Sequence, residues 1–246
     1  MTGSLGLRFD EVAELYDRVR PGYPEELFAD LATLTGLRPG APVLEVGCGT
    51  GQATRSMAAL GWTVTAVEPG PALAELARRR LAGFPNVTVE EAAFEDWPDR
   101  GRRFDVLVAA SSWHWVDPEI GRRRAAALAG HLALLDFTVV RRPGELEVYA
   151  ETADLHEHFS PGNPSWGHPP LEERVLAEPG RWYPVVQWFD GQGFADLLRT
   201  QSLCRELDPA VREPLLDAVA ERIRTRLGDR APRRYLCSLR LEDLTA

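Results

Sequence analysis

Glu45, Gly47, Gly49, Gly51 and Glu68 are the residues whose types and spacing carry chemistry in this sequence. The run Val43-Leu-Glu-Val-Gly-Cys-Gly-Thr-Gly-Gln52 is a short apolar stretch with glycines at alternate positions, followed by helix-forming residues. It reads as a buried strand turning sharply into a helix, where missing Cβ atoms let the backbone approach a ligand. Glu45 stands just before the turn, and Glu68 closes the next apolar run. Acidic residues at those two places supply acceptors for the hydroxyls and amino group of a nucleoside cofactor. Dinucleotide oxidoreductases also carry a glycine loop after a strand, but theirs is Gly-x-Gly-x-x-Gly over a pyrophosphate. Here the third glycine comes one residue early, which disfavours a nicotinamide cofactor and suits a ligand without phosphate.

These residues need a scaffold of alternating strands and helices, and the sequence supplies one. Strands are expected at 43–46, 63–67, 87–90, 104–110 and 131–137, with helices at 52–60, 72–81 and 118–128 between them. Such alternation implies an α/β fold with a parallel sheet and right-handed crossovers. Ligands on such sheets sit beyond the carboxyl ends of the strands, near the switch point beside the first strand. Two helices precede the sheet. The first spans 8–19, with Phe9, Val12, Ala13, Tyr16 and Val19 at helical spacing, and the second spans 25–34 after Pro21 and Pro24. Beyond residue 140 the rhythm changes to helices at 146–159, 171–177, 194–202 and 209–227, with strands at 185–189 and 235–241. The expected division is therefore N-terminal helices over 1–40, a core over 41–140, a helical cap and substrate region over 141–230, and a last core strand in 231–246.

Composition narrows the partners. The chain has 246 residues and a formal charge of −9, which argues against a nucleic-acid substrate. The clusters Arg78-Arg-Arg80 and Arg122-Arg-Arg124 fall on expected helices and read as solvated faces. Cys48, Cys204 and Cys237 are odd in number and without metal-ligand spacing, and His156 and His158 point apart on a helix, so no metal is expected. The expected setting is reducing and cytoplasmic, with no membrane partner and an oligomeric state left open.

The Glu45–Gln52 pattern resembles the first motif of class I S-adenosylmethionine-dependent methyltransferases. The segment from Phe9 to Pro24 is similar to the N-terminus of the trans-aconitate-methyltransferase-like and related small-molecule branches. Phe104-Asp-Val-Leu-Val-Ala-Ala-Ser-Ser-Trp-His-Trp-Val-Asp-Pro118 closely resembles the fourth-strand motif of an actinobacterial-type branch. Weaker matches are 197–202 and 234–239. The resemblance implies a Rossmann-like, seven-stranded, mostly parallel sheet with a helical cap, and S-adenosylmethionine as cofactor. In it, Tyr16 lies against the methionine part, Arg20 pairs with the methionine carboxylate, and Glu45 accepts from the ammonium. Gly47, Cys48, Gly49 and Gly51 form the loop beneath the cofactor; Glu68 and Pro69 meet the ribose. Ala93, Phe94 and Glu95 meet the adenine, and Ser111 closes the cofactor side. Two departures stand out. Relatives carry Asp where Ala93 stands, so Glu95 or Asp96 must substitute, and the turn at 127–131 is about three residues shorter than theirs.

The resemblance also implies the chemistry. Methyl transfer is an in-line displacement at a sulfonium carbon, so the protein contributes alignment and, for a protonated nucleophile, a base. His114 is the expected base, since its ordinary pKa lies near neutrality; for a carboxylate acceptor it merely orients. Ser112, Trp113, Trp115 and Thr200 are expected at a small-molecule substrate, and the tryptophans, with Trp166, Trp182 and Trp188, suggest an apolar or aromatic one. Oxygen, carboxyl and nitrogen acceptors are favoured in that order. The alternative is an S-adenosylmethionine-binding protein without methyl transfer, a cyclisation catalyst or a sensor.

Overall fold

The computed structural model describes residues 12–162 and 169–245. Phe9 and Trp166 lie outside them. Two N-terminal helices, α1 (Ala13–Val19) and α2 (Glu25–Thr35), lead into the alternating core: β1 (Pro42–Val46), α3 (Gln52–Ala59), β2 (Thr63–Glu68), α4 (Pro71–Arg80), β3 (Val87–Glu91) and β4 (Phe104–Ala110). A 3-10 turn at Trp113–Trp115 precedes α5 (Pro118–Leu128) and β5 (Ala129–Val140). The remainder is α6 (Val148–Phe159), α7 (Glu172–Leu176), β6 (Arg181–Phe189), α8 (Gly191–Arg199), α9 (Ser202–Arg205), α10 (Pro209–Arg226) and β7 (Ala231–Asp243).

One seven-stranded sheet has the order β3-β2-β1-β4-β5-β7-β6. The first five strands pair in parallel, and β7 pairs antiparallel with β5 and β6. The order reverses between β1 and β4, so the crossovers diverge there and leave a crevice beyond the strand ends. Apolar side chains cover both faces. Leu27, Phe28, Leu31, Met57 and Trp62 pack on one, and Trp97, Phe104, Ala125 and Leu128 on the other. The nearly continuous apolar make-up of β1 and β4, broken only by Glu45 and Asp105, follows from that double coverage.

The short turn before the fifth strand is no turn at all. Leu128 is the last helical residue and Ala129 the first of β5, with the Ala129 N–H still bonded to the Ala125 carbonyl. The strand is also longer than 131–137 because β7 holds it as far as Val140. The strands around 185–189 and 235–241 likewise extend to nine and thirteen residues by pairing with each other. A second apolar cluster, built on Phe194, Leu198, Leu215, Leu216, Val219 and Ile223, joins α8 and α10 beside β6 and β7.

Candidate active site

The glycine loop begins where β1 ends. The N–H groups of Gly47 and Cys48 donate to the Val67 carbonyl at 2.8 and 3.2 Å, tying the loop to β2. All three glycines have positive φ: +69° at Gly47, +56° at Gly49 and +87° at Gly51. Their surroundings differ. A Cβ at Gly47 would fall 2.5 Å from the Ser112 Cβ, and one at Gly51 would fall 2.7 Å from the Leu81 Cδ1. A Cβ at Gly49 would meet no described atom within 4 Å. Only Gly49 keeps its space open for a ligand; Gly47 admits the end of β4, and Gly51 lets α3 begin against Leu81.

Two carboxylates face the loop. Glu68 accepts from the Gly49 N–H at 2.8 Å with one oxygen and from the Gly70 N–H at 2.9 Å with the other. Both oxygens are thereby fixed in direction. Glu45 is 1% exposed and accepts from the Thr54 hydroxyl at 2.5 Å. Burial pushes its carboxyl up to about 8, the Thr54 bond opposes this, and the nearby Glu68 charge adds to it. A buried carboxylate facing a cavity is suited to a cation brought by a ligand.

After β3, Ala93 is exposed, while Phe94 is buried against Trp113 with ring centroids 6.1 Å apart. The two carboxylates expected to replace the missing Asp have different fates. Glu95 accepts the Asp117 N–H at 2.9 Å, at the start of α5, whereas Asp96 is exposed at the cavity.

The end of β4 is built by backbone strain. Ser111 has φ +55°, its N–H donates to the Leu135 carbonyl at 2.7 Å, and its hydroxyl lies 3.2 Å from the Tyr23 hydroxyl. Ser112 is buried and donates to the Val46 carbonyl. The 3-10 turn that follows splits its aromatic residues. Trp113 turns back under Phe94 and Gly121, while His114 and Trp115 face the cavity, their rings 4.7 Å apart. Partial burial lowers the His114 pKa, with the Asp136 charge acting against that, so the imidazole is neutral and basic at pH 7.

From above, Tyr16 and Arg20 reach in from α1 and its end. The Arg20 guanidinium lies 4.9 Å from the Tyr16 ring centre. Its Nε and Nη2 donate to the Thr200 hydroxyl at 3.1 Å and the Thr200 carbonyl at 2.7 Å.

The cavity is open to solvent on one side and has a volume of about 1050 Å³. Glu45, Gly47, Cys48, Gly49, Glu68, Pro69, Ala93, Phe94, Glu95, Tyr16, Arg20, Ser111, Ser112, His114 and Trp115 all line it. Three expected site residues do not, and neither do Trp182, which packs by Val140 and Val175, and the exposed Trp188. Trp113 is core packing, Gly51 serves the start of α3, and Thr200 is fully buried at the end of α8, where it holds Arg20. Sequence reasoning passed over Tyr23, Asp136, Phe137, Arg233 and Tyr235, which also line the cavity. Asp136 and Phe137 could have been found, since they follow the apolar run of the fifth strand as Glu68 follows that of the second. Arg233 and Tyr235 carry no such mark, because β7 runs opposite to the strands that point at the site.

Comparison with known proteins bears on the family and the fold. A methyltransferase-domain family model matches residues 43–133, from β1 into β5. A methyltransferase of undetermined specificity from Mycobacterium tuberculosis is 27% identical over 224 residues, covering 90% of this chain and 87% of its own. Another from a Geobacillus species is 30% identical over 155 residues, covering 61% of this chain and 67% of its own. The solved structure of a putative type II methyltransferase from Anaeromyxobacter dehalogenans superposes with a TM-score of 0.65 at 25% identity, covering 92% of this chain and 98% of its own. With the seven-stranded sheet, the glycine loop and the two acidic strand ends, these matches show that the chain belongs to the class I S-adenosylmethionine-dependent methyltransferases.

Proposed function

We propose that this enzyme methylates an oxygen, carboxyl or nitrogen atom of a small, largely apolar molecule, with His114 as the base where the acceptor carries a proton. The observation that carries this reading is the continuity of the cavity. One space of about 1050 Å³, at the top of the ~300–1,000 Å³ range of ligand pockets, runs from Glu45 and Glu68 to His114 and Trp115, which suits a cofactor and an acceptor side by side. The residues present suit the cofactor: Gly49 leaves bare backbone, Glu68 offers two aimed oxygens to a ribose diol, and buried Glu45 suits an ammonium. When bound, S-adenosylmethionine supplies an activated methyl on a sulfonium.

The chain's own residues would do the rest. Tyr16 and Arg20 would fix the methionine end from above, so α1 and α2 would close the cofactor side. Phe94 and the Ala93 backbone would hold the adenine, with Asp96 as the open acceptor for its amino group. Ser111, Ser112 and Trp115 would position the acceptor at the end of β4, and the neutral His114 would take its proton at the unprotonated ring nitrogen. The segment 141–230 would shape the acceptor's side, and with −9 charge the enzyme suits a metabolite better than nucleic acid.

Calorimetric titration with S-adenosylmethionine, S-adenosylhomocysteine and NADH tests the cofactor half. The first two should bind and NADH should not. Acceptors are then screened by S-adenosylhomocysteine release. Retained cofactor with no release from any acceptor would favour a non-methylating role.

A further inference from the structure

The cavity contains a buried cation that pairs with no carboxylate among the described residues. Arg233 is 7% exposed, yet it lines the cavity. Its Nη1 donates to the Tyr149 hydroxyl at 2.6 Å, and its guanidinium carbon lies 5.1 Å from the Tyr149 ring centre, 5.6 Å from Tyr235 and 5.8 Å from Phe194. Its Nε is buried without a hydrogen-bond partner among the described residues. No described carboxylate forms an ion pair with it. Glu147, whose charge does reach it, directs its two oxygens at the Tyr149 and Ala150 N–H groups at the start of α6.

That is not for want of acids. The neighbouring Arg234, on the opposite face of β7, pairs with Glu145, and the more exposed Arg142, Arg199, Arg222 and Arg240 all have carboxylate partners. Aromatic faces offset part of the cost of removing a guanidinium from water. They leave its N–H groups short of the planar, charged acceptor they match best, a carboxylate.

The position says which ligand would bring it. The glycine loop and Glu68 lie at β1 and β2, whereas Arg233 is on β7, separated from β4 by β5. Arg233 is therefore on the acceptor's side of the sheet, with Phe137, Val139 and Tyr235 forming apolar wall between it and His114. Arg20, held by Thr200 over Tyr16, is the guanidinium that the methyl-transfer reading gives to the methionine carboxylate.

Resting on the methyl-transfer reading above, we propose that Arg233 anchors a carboxylate of the acceptor, so that the substrate is an organic acid with an apolar body. Its methylated atom lies at the His114 end, away from the anchored group.

The test uses wild-type enzyme, R233Q and R233K. Each is first titrated with S-adenosylhomocysteine. The saturated proteins are then titrated with matched pairs of ligands: hydroxyphenylpropionate, hydroxycinnamate and aminobenzoate against their primary amides. Wild type should bind at least one acid about 10- to 100-fold more tightly than its amide. R233Q should erase that preference, R233K should keep part of it, and S-adenosylhomocysteine affinity should be the same in all three. The proposal is overturned if wild type binds no acid better than its amide, or if R233Q weakens S-adenosylhomocysteine by the same factor, which would make Arg233 a cofactor contact. Should R233Q not fold, the wild-type acid preference and its reduction in R233K decide. Failure of wild type to bind S-adenosylhomocysteine would instead overturn the methyl-transfer reading itself.

Discussion

Glu45 is a carboxyl held where charge is hardest to keep. Its pKa of about 8 lies above the ordinary 4.5, so the folded protein holds this proton more tightly than the unfolded chain. Its contribution to stability is complete below pH 4.5 and is lost as pH rises through about 8. An ammonium placed beside it reverses the balance. Cofactor binding at pH 7 should therefore release close to ~1 proton, as titrations in buffers of different ionisation enthalpy would show. The release should fade above pH 8 and vanish in Glu45→Gln. His114 is shifted the other way, below 6.5. The acid limb of kcat/KM should accordingly lie below that value and disappear in His114→Ala, with turnover down about 100-fold or more and S-adenosylhomocysteine affinity intact. Unchanged turnover would remove His114 from the chemistry. Glu45 and Glu68 were legible in sequence because one stands next to the end and the other at the end of an apolar strand. Trp113 was not separable from His114 and Trp115, because one 3-10 turn, not spacing, decides which of the three faces the core.

At the scale of elements, the glycine loop is a joint between strands as much as a ligand cradle. Gly47→Ala would drive a Cβ to 2.5 Å from the Ser112 Cβ, an atom held by its own bond to Val46 and by the end of β4. Gly51→Ala meets only the far end of Leu81, which can move, and Gly49→Ala meets open space. Each also carries the strain of a left-handed residue, of order 1–2 kcal/mol. Urea melts should rank the stability losses as Gly47, then Gly51, then Gly49, with Gly47→Ala the largest by ~1–3 kcal/mol. Cofactor titration should single out Gly49→Ala, which keeps most stability and loses affinity. An equal affinity loss in Gly51→Ala would show that the start of α3 also touches the cofactor. The alternation through β5 could be read from the sequence because β1, β2, β4 and β5 each carry a bounded apolar run and β3 alternates valine with polar residues. The lengths of β5, β6 and β7 could not, since antiparallel pairing between distant segments extends them past their apolar centres.

At the scale of the molecule, the cavity lies between two packed bodies, the sheet with its covering helices and the cluster around α8 and α10. No helix among the described residues is long and apolar enough to cross a membrane. Polar ties fasten α1 and its end to α8 and β6: Arg20 to Thr200 beside the cavity, Gln187 to the Val19 carbonyl at 3.1 Å, and Arg18 to Asp196 at 3.1 Å on the surface. The exposed pair contributes little, but Arg20 is half-buried and makes both of its bonds to one residue. Thr200 thus acts through Arg20, by holding the guanidinium over Tyr16. Thr200→Val keeps the shape and the carbonyl acceptor while deleting the hydroxyl, so Arg20 retains one bond of two. S-adenosylhomocysteine affinity should fall by about 3- to 10-fold, the value of one charged hydrogen bond acting indirectly. Hydrogen exchange should separate this from general loosening. In wild type, the ligand should slow exchange in α1 and α8 together; in Thr200→Val, α1 should lose protection while α8, packed through Leu197 and Leu198, keeps it. Equal loss in both helices would make Thr200 a packing residue and leave Arg20 without a positioning partner in α8.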